Sequence, residues 1–247
     1  MKNELKDRLT RITANARKIR EKLSGLLTEH SGKVHFRPTC SGITMIGLLP
    51  DRPQRGKGGY SADKLLRDFD VEFRENCVET SQGRPTPEKR LQSFLVADAY
   101  RHSRALAALA RPDGADDCDL VFVTDEIAVI ADSGKLVCDL LALRRGKDGD
   151  VPVLLELKST REMTRLVHQL KSYAACMETN ALLFELLFTE LLGEDVCFSG
   201  PPEKWLVWPG MNRGADWRER ELADSGIGVI QYWENDSSFD FHIGARP

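Results

Sequence analysis

The 247-residue chain lacks several features that would each assign it to a class. No apolar run approaches the roughly 20 residues of a membrane-spanning helix. The first stretch, MKNELKDRLTRI, is charged and has no apolar core of a secretion signal. Six cysteines are scattered without a C-x-x-C pair, which argues against a zinc site and a small disulfide framework. These absences together lead to the expectation of a reduced, cytoplasmic protein with no membrane partner. The net charge of −3 gives no global pull toward nucleic acid, so any phosphate contact must come from local patches. There is no internal repeat, no low-complexity tract and no Gly-Lys-Ser/Thr of a P-loop. With 41% hydrophobic residues the chain can bury a sizeable core, as one large domain or one domain with an arm.

The N-terminal segment reads as one helix over residues 3–30. Leu5, Leu9, Ile12, Ala16, Ile19, Leu23 and Leu26 recur in alternating steps of four and three, a heptad seam. Basic residues outnumber acidic ones by eight to three in residues 1–22. Three readings stay open: an amphipathic helix laid on the domain, a homodimer formed through residues 3–30, and a basic arm on nucleic acid. Residues 34–49 read as two short strands turning at Ser41-Gly42. The following DRPQRGKGGYS is a basic loop with Arg52, Arg55 and Lys57, either a plain connector or a phosphate contact.

Ser61 is placed to cap a helix reaching about Val78, and Thr86-Pro87 to open another. That second helix carries Glu88 and Gln92 one turn apart, Arg90, Arg101 and Arg104 as candidate phosphate contacts, and His102 on a face expected to be core. Strands are expected over DLVFVT, EIAVIA, KLVCDLLALRR and VPVLLELKS. A helix over residues 160–178 and a second over 181–192 follow. The tail reads as a strand (KWLVWP), a Gly-rich loop and a hairpin of GVIQYWE with FDFHI. Trp205, Trp208, Trp217, Tyr232 and Trp233 are read first as packing, with base stacking as the sharper use. His168 is read as facing sideways. The order of elements implies an α/β sandwich on a mixed sheet, with a parallel neighbour after the VPVLLEL crossover.

The chemistry concentrates in residues 135–173. Asp139 and Glu156 are acids in apolar strands, and Lys158 shares a face with Glu156 because strand side chains alternate. Burying charge in VPVLLEL costs several kcal/mol per ion unless it is paired or bound to a metal. Phosphodiester hydrolysis uses such a set. A Mg²⁺ ion needs one or two carboxylates plus other oxygens, here Asp139, Glu156 and the Leu157 carbonyl, with Glu88 as a third acid and Gln92 as its competitor. The plain alternative is a surface salt bridge between Glu156 and Lys158, worth roughly 0–1 kcal/mol.

Asp139, sixteen residues, then Glu156-Leu157-Lys158 resembles the PD-(D/E)XK, or restriction-endonuclease-like, nuclease superfamily. Gln169-x-x-x-Tyr173 resembles the helix motif of its RecB-like members, and PEKRLQSFL its first core helix. Cys138 stands where the namesake motif has proline. The resemblance covers about Glu88 to Tyr173. It implies an αβββαβ core, here with an N-terminal helical arm, and a division into residues 1–60 (helix and small strand/loop extension) and 61–247 (nuclease-like domain). It implies Mg²⁺ or Mn²⁺ on Asp139 and Glu156, water activation by Lys158, and support from Gln169 and Tyr173. The expected function is metal-dependent cleavage of DNA, with RNA left open. Two alternatives stand beside it: a relative that binds nucleic acid without cutting, and an assembly protein acting through its N-terminal heptads.

Overall fold

The computed structural model describes residues 2–49, 57–79, 86–109, 120–131, 134–147, 149–163, 166–211, 217–235 and 238–245. In chain order the elements are helices α1 (Lys2–Lys18) and α2 (Ser24–Glu29), then strands β1 (Val34–Thr39), β2 (Gly42–Gly47) and β3 (Lys57–Tyr60). Helices α3 (Ala62–Phe73) and α4 (Pro87–Arg101) follow, then β4 (Leu120–Asp125), β5 (Ala128–Ala131), β6 (Gly134–Val137), β7 (Leu140–Arg144) and β8 (Val151–Leu157). The chain continues with α5 (Leu166–Thr179), α6 (Ala181–Leu192), β9 (Glu203–Pro209), α7 (Trp217–Asp224), β10 (Gly228–Asn235) and β11 (Ser238–Ala245). Contacts divide it into two compact units, residues 1–104 with 180–197, and residues 105–179 with 198–247. The architecture is α/β, with a mixed, curled six-stranded sheet flanked by helices.

In the first unit, α1 runs into α2 through one wide π-helical turn, Ile19–Leu23. The heptad residues Leu5, Leu9, Ile12, Ala16, Ile19 and Leu23 are buried, and α1 packs on α6 and β1. The seam is therefore covered by the chain's own apolar residues; Leu26 is only partly buried. Strands β1, β2 and β3 form a small antiparallel sheet. Lys57–Tyr60 is thus a strand where a loop was expected, because Gly58 and Gly59 hide its alternation and Tyr60 alone anchors it. Arg52 and Arg55 lie outside the described residues. Gly42 turns β1 into β2 with φ of +140°, and a Cβ there would stand 2.6 Å from the Tyr60 carbonyl. Ser61 and Thr86 cap α3 and α4 as the sequence indicated, each accepting from the amide three residues on. His102, expected in the core, is exposed instead. It ends α4, and its ring lies 3.2 Å from the Asp98 carboxylate.

In the second unit the sheet order is β11-β10-β9-β8-β7-β4. The β4/β7, β7/β8 and β10/β11 pairs are antiparallel, and β8/β9 and β9/β10 are parallel. The parallel step from β8 to β9 is the crossover expected after VPVLLEL. Strand β8 is central, and its apolar run follows from burial of both faces. Two expectations change here. KLVCDLLALRR is two strands, β6 in a hairpin with β5 and β7 in the main sheet, so Asp139 sits at the break between them. The segment WRERELAD forms α7, which charge had concealed; Leu222 and the Glu219 side chain are its buried positions. Helix α5 begins at Leu166 rather than near Thr160.

Candidate functional site

Strand β7 starts at Leu140, opposite Leu155, so the Leu157 amide lies beyond the last rung of that ladder. The Asp139 carboxylate takes the place of the missing carbonyl: Leu157 N donates to Asp139 Oδ2 at 2.8 Å. Beside it, the Cys138 thiol donates to the Leu140 carbonyl at 3.3 Å, filling the same gap. Glu126 N donates to the Asp139 carbonyl at 3.1 Å and closes the base of the β5–β6 hairpin. Asp139 is thus placed by the strand break itself.

Glu156, on β8, is 3% exposed. Its Oε1 accepts from Lys158 Nζ at 2.7 Å and from Gln169 Nε2 at 3.2 Å. Its Oε2 is buried and accepts no hydrogen bond of ordinary geometry among the described residues. Lys158 also donates to the Leu157 carbonyl at 3.0 Å. Gln169, in the first turn of α5, donates to the Val137 carbonyl at 2.9 Å as well, so one side chain ties β6, β8 and α5 together. Tyr173, one turn later, is buried and donates to the Ile127 carbonyl at 2.9 Å, at the start of the β5 hairpin.

Burial first, and the Asp139 charge second, raise Glu156 from 4.5 to about 7. The Lys158 ammonium and the Asp139 amide pull the other way without cancelling this. A carboxylate held that high is short of positive charge. That is the condition a divalent cation relieves, and two carboxylates with a nearby carbonyl suit Mg²⁺ or Mn²⁺. These are the donor types such a site would use, although the Leu157 carbonyl accepts from Lys158 and Asp139 Oδ2 from the Leu157 amide. Among the described residues no group of three or more His, Cys, Asp and Glu side chains gathers as a metal cluster.

Asp139, Glu156, Leu157, Lys158 and Gln169 are brought together. The Tyr173 hydroxyl goes to the hairpin backbone rather than to the carboxylates. Glu88 stands in the first turn of α4, in the other unit, with Arg90, Arg101 and Arg104. His168 is exposed and faces Ser172, 3.4 Å away. Trp205, Trp208 and Tyr232 are buried as packing residues, and Trp217 is 67% exposed.

One group was missed. Arg161, three residues past Lys158, forms a largely buried ion pair with Glu219 of α7. It also lies 4.4 Å from the centre of the Trp208 ring. Gln231 donates to the same Glu219 carboxylate at 2.7 Å, and the Tyr232 hydroxyl donates to the Lys158 carbonyl at 3.3 Å. Together they hold the chain just after Lys158. The sequence offered no sign of it, because the two partners are 58 residues apart. No family model matches this chain, and neither the curated proteins nor the solved structures searched contain a match.

Proposed function

We propose that the chain is a metal-dependent nuclease of the PD-(D/E)XK type, with a restriction-endonuclease-like core, acting on DNA. The observation that carries this reading is the buried Glu156 carboxylate beside Asp139, with its Oε1 held by Lys158 and Gln169. Asp139 and Glu156 would hold Mg²⁺ or Mn²⁺, with the Leu157 carbonyl as a further oxygen. Bound there, the ion would supply Lewis-acid stabilisation of the phosphate and lower the pKa of water.

The chain's own groups do the remaining work. Lys158 Nζ orients the attacking water and offsets negative charge gathering on the phosphate. The water oxygen bonds to phosphorus, the P–O bond to the leaving nucleoside breaks, and the leaving oxygen ends with a proton. Gln169 fixes the Glu156 rotamer, and the Arg161–Glu219 pair fixes the chain beyond Lys158. The test is incubation of the protein with supercoiled and linear DNA and Mg²⁺ or Mn²⁺, beside Lys158→Ala and Asp139→Ala. Cleavage by the native protein alone is expected; equal cleavage by all three rejects the assignment.

A second reading, a relative that binds DNA without cutting, draws on the small carboxylate set among the described residues. It expects salt-dependent DNA binding that ignores Mg²⁺. Assembly through the N-terminal heptads is less well supported, because that seam is already covered within the first unit.

A further inference from the structure

Lys158 Nζ bridges two oxygens, donating to Glu156 Oε1 at 2.7 Å and to the Leu157 carbonyl at 3.0 Å. Both are oxygens assigned above to the divalent cation. We propose that the Lys158 ammonium gates the cation site: it leaves both oxygens when the ion binds, and only then turns to the attacking water. This inference rests on the nuclease reading and adds an order of events to it. A carboxylate oxygen offers roughly two lone-pair directions. On Glu156 Oε1 they are taken by Lys158 and by Gln169 Nε2 at 3.2 Å. A Mg²⁺ ion needs its oxygens at about 2.0–2.1 Å in near-octahedral array, so one of those donors has to go. Two cations held on the same pair of oxygens would also repel each other.

The surroundings decide which group moves. The Glu156 side chain is 4% exposed and the Lys158 side chain 25%. Gln169 fixes the carboxylate from α5 while its second bond, at 2.9 Å, holds it to the Val137 carbonyl. The Lys158 backbone is pinned on both sides: its amide donates to the Val207 carbonyl at 2.9 Å, and its carbonyl accepts from the Tyr232 hydroxyl at 3.3 Å. Arg161, the next cation along the chain, is committed to Glu219. What is left to move is the flexible stem of Lys158, which carries a compact ammonium and has solvent on one side. Once displaced, that ammonium is still tethered beside the carboxylates, on the side from which water and phosphate arrive. Metal loading and release of the lysine are therefore one step, and water activation is withheld until the ion is in place.

Two measurements on the full chain at pH 8 test this. The first is Mn²⁺ affinity, by electron paramagnetic resonance, in the native protein, Lys158→Met and Lys171→Met. Lys171 is exposed on α5 two residues past Gln169, so its loss controls for removal of one nearby charge. Lys158→Met should bind tenfold or more tighter than native, and Lys171→Met within threefold of native. The second needs no variant: reductive methylation of the native protein with formaldehyde and cyanoborohydride, read at Lys158 by mass spectrometry. Saturating Mn²⁺ should speed labelling of Lys158 fivefold or more and leave Lys171 unchanged. If native protein takes up Mn²⁺ while Lys158 labels no faster, the lysine has stayed on Glu156 and the gate is overturned. Equal or weaker binding by Lys158→Met overturns it too. In both cases the carboxylate–cation reading stands, because the native chain still binds the ion. No uptake by native protein or Lys158→Met removes that reading and the gate together.

Discussion

Gln169 donates to Glu156 Oε1 from a helix thirteen residues further along the chain, while its second hydrogen bond reaches the Val137 carbonyl. One amide thereby fixes the carboxylate and the strand that leads into Asp139. Gln169→Ala removes both bonds and leaves the buried carboxylate with Lys158 as its remaining partner at Oε1. A net loss of roughly 1–3 kcal/mol in folding stability is expected, measured by urea denaturation. Divalent-ion affinity should fall with it, as the Glu156 rotamer is freed.

The pH dependence follows from Glu156. Its folded value, about 7, lies above its ordinary 4.5, so the native state holds this proton more tightly than the unfolded chain does. Below pH 4.5 both states carry the proton and nothing is lost. Between 4.5 and 7 the unfolded chain releases it first, so metal-free stability falls as pH rises, and above 7 the loss is complete. The loss is on the order of 3 kcal/mol. Glu156→Gln should flatten that slope and be the more stable protein at pH 8, as read by thermal unfolding in EDTA. Added Mn²⁺ should raise the native melting temperature more at pH 8 than at pH 5.5, because the ion binds the ionised form.

The ion pair of Arg161 with Glu219 is largely buried and shares its carboxylate with Gln231. Glu219→Ala leaves the guanidinium in the interior with its countercharge removed, which costs about 3–5 kcal/mol. Replacing both members, Arg161→Met with Glu219→Leu, should cost much less. Urea denaturation of the three variants gives the comparison.

Leu9 is fully buried in the first unit. Leu9→Ala should destabilise the chain by about 2–5 kcal/mol through the cavity left behind. That loss should not depend on protein concentration, since the seam packs on α6 and β1 of the same chain. A melting temperature that climbs with concentration in the native protein and not in Leu9→Ala would restore the coiled-coil dimer.

What the sequence disclosed, and what it hid, follows from how each residue is held. The Glu156-Leu157-Lys158 strand was legible because burial on both faces demands an unbroken apolar run, in which two charges stand out. Gln169 was singled out only by the resemblance of Gln169-x-x-x-Tyr173 to a RecB-like helix motif; its spacing alone marks no more than one helix face. Asp139 was read into a strand because Leu136 to Leu143 carries no Gly or Pro to mark the break; only pairing with two different sheets creates it. Helix α7 escaped because its buried Glu219 is stabilised by an arginine far away in sequence rather than by apolar periodicity. The heptads of α1 fit a partner helix, and the partner is α6 of the same unit, which no spacing within residues 3–30 reveals.

The most direct test is Mn²⁺ binding at pH 8, followed by electron paramagnetic resonance of the free ion, in the native protein, Asp139→Ala and Glu156→Gln. One ion bound per native chain, with affinity lost in both variants, is the expected result. Native protein that leaves all Mn²⁺ free, or binding undiminished by either substitution, contradicts the assignment of these two carboxylates to a catalytic cation.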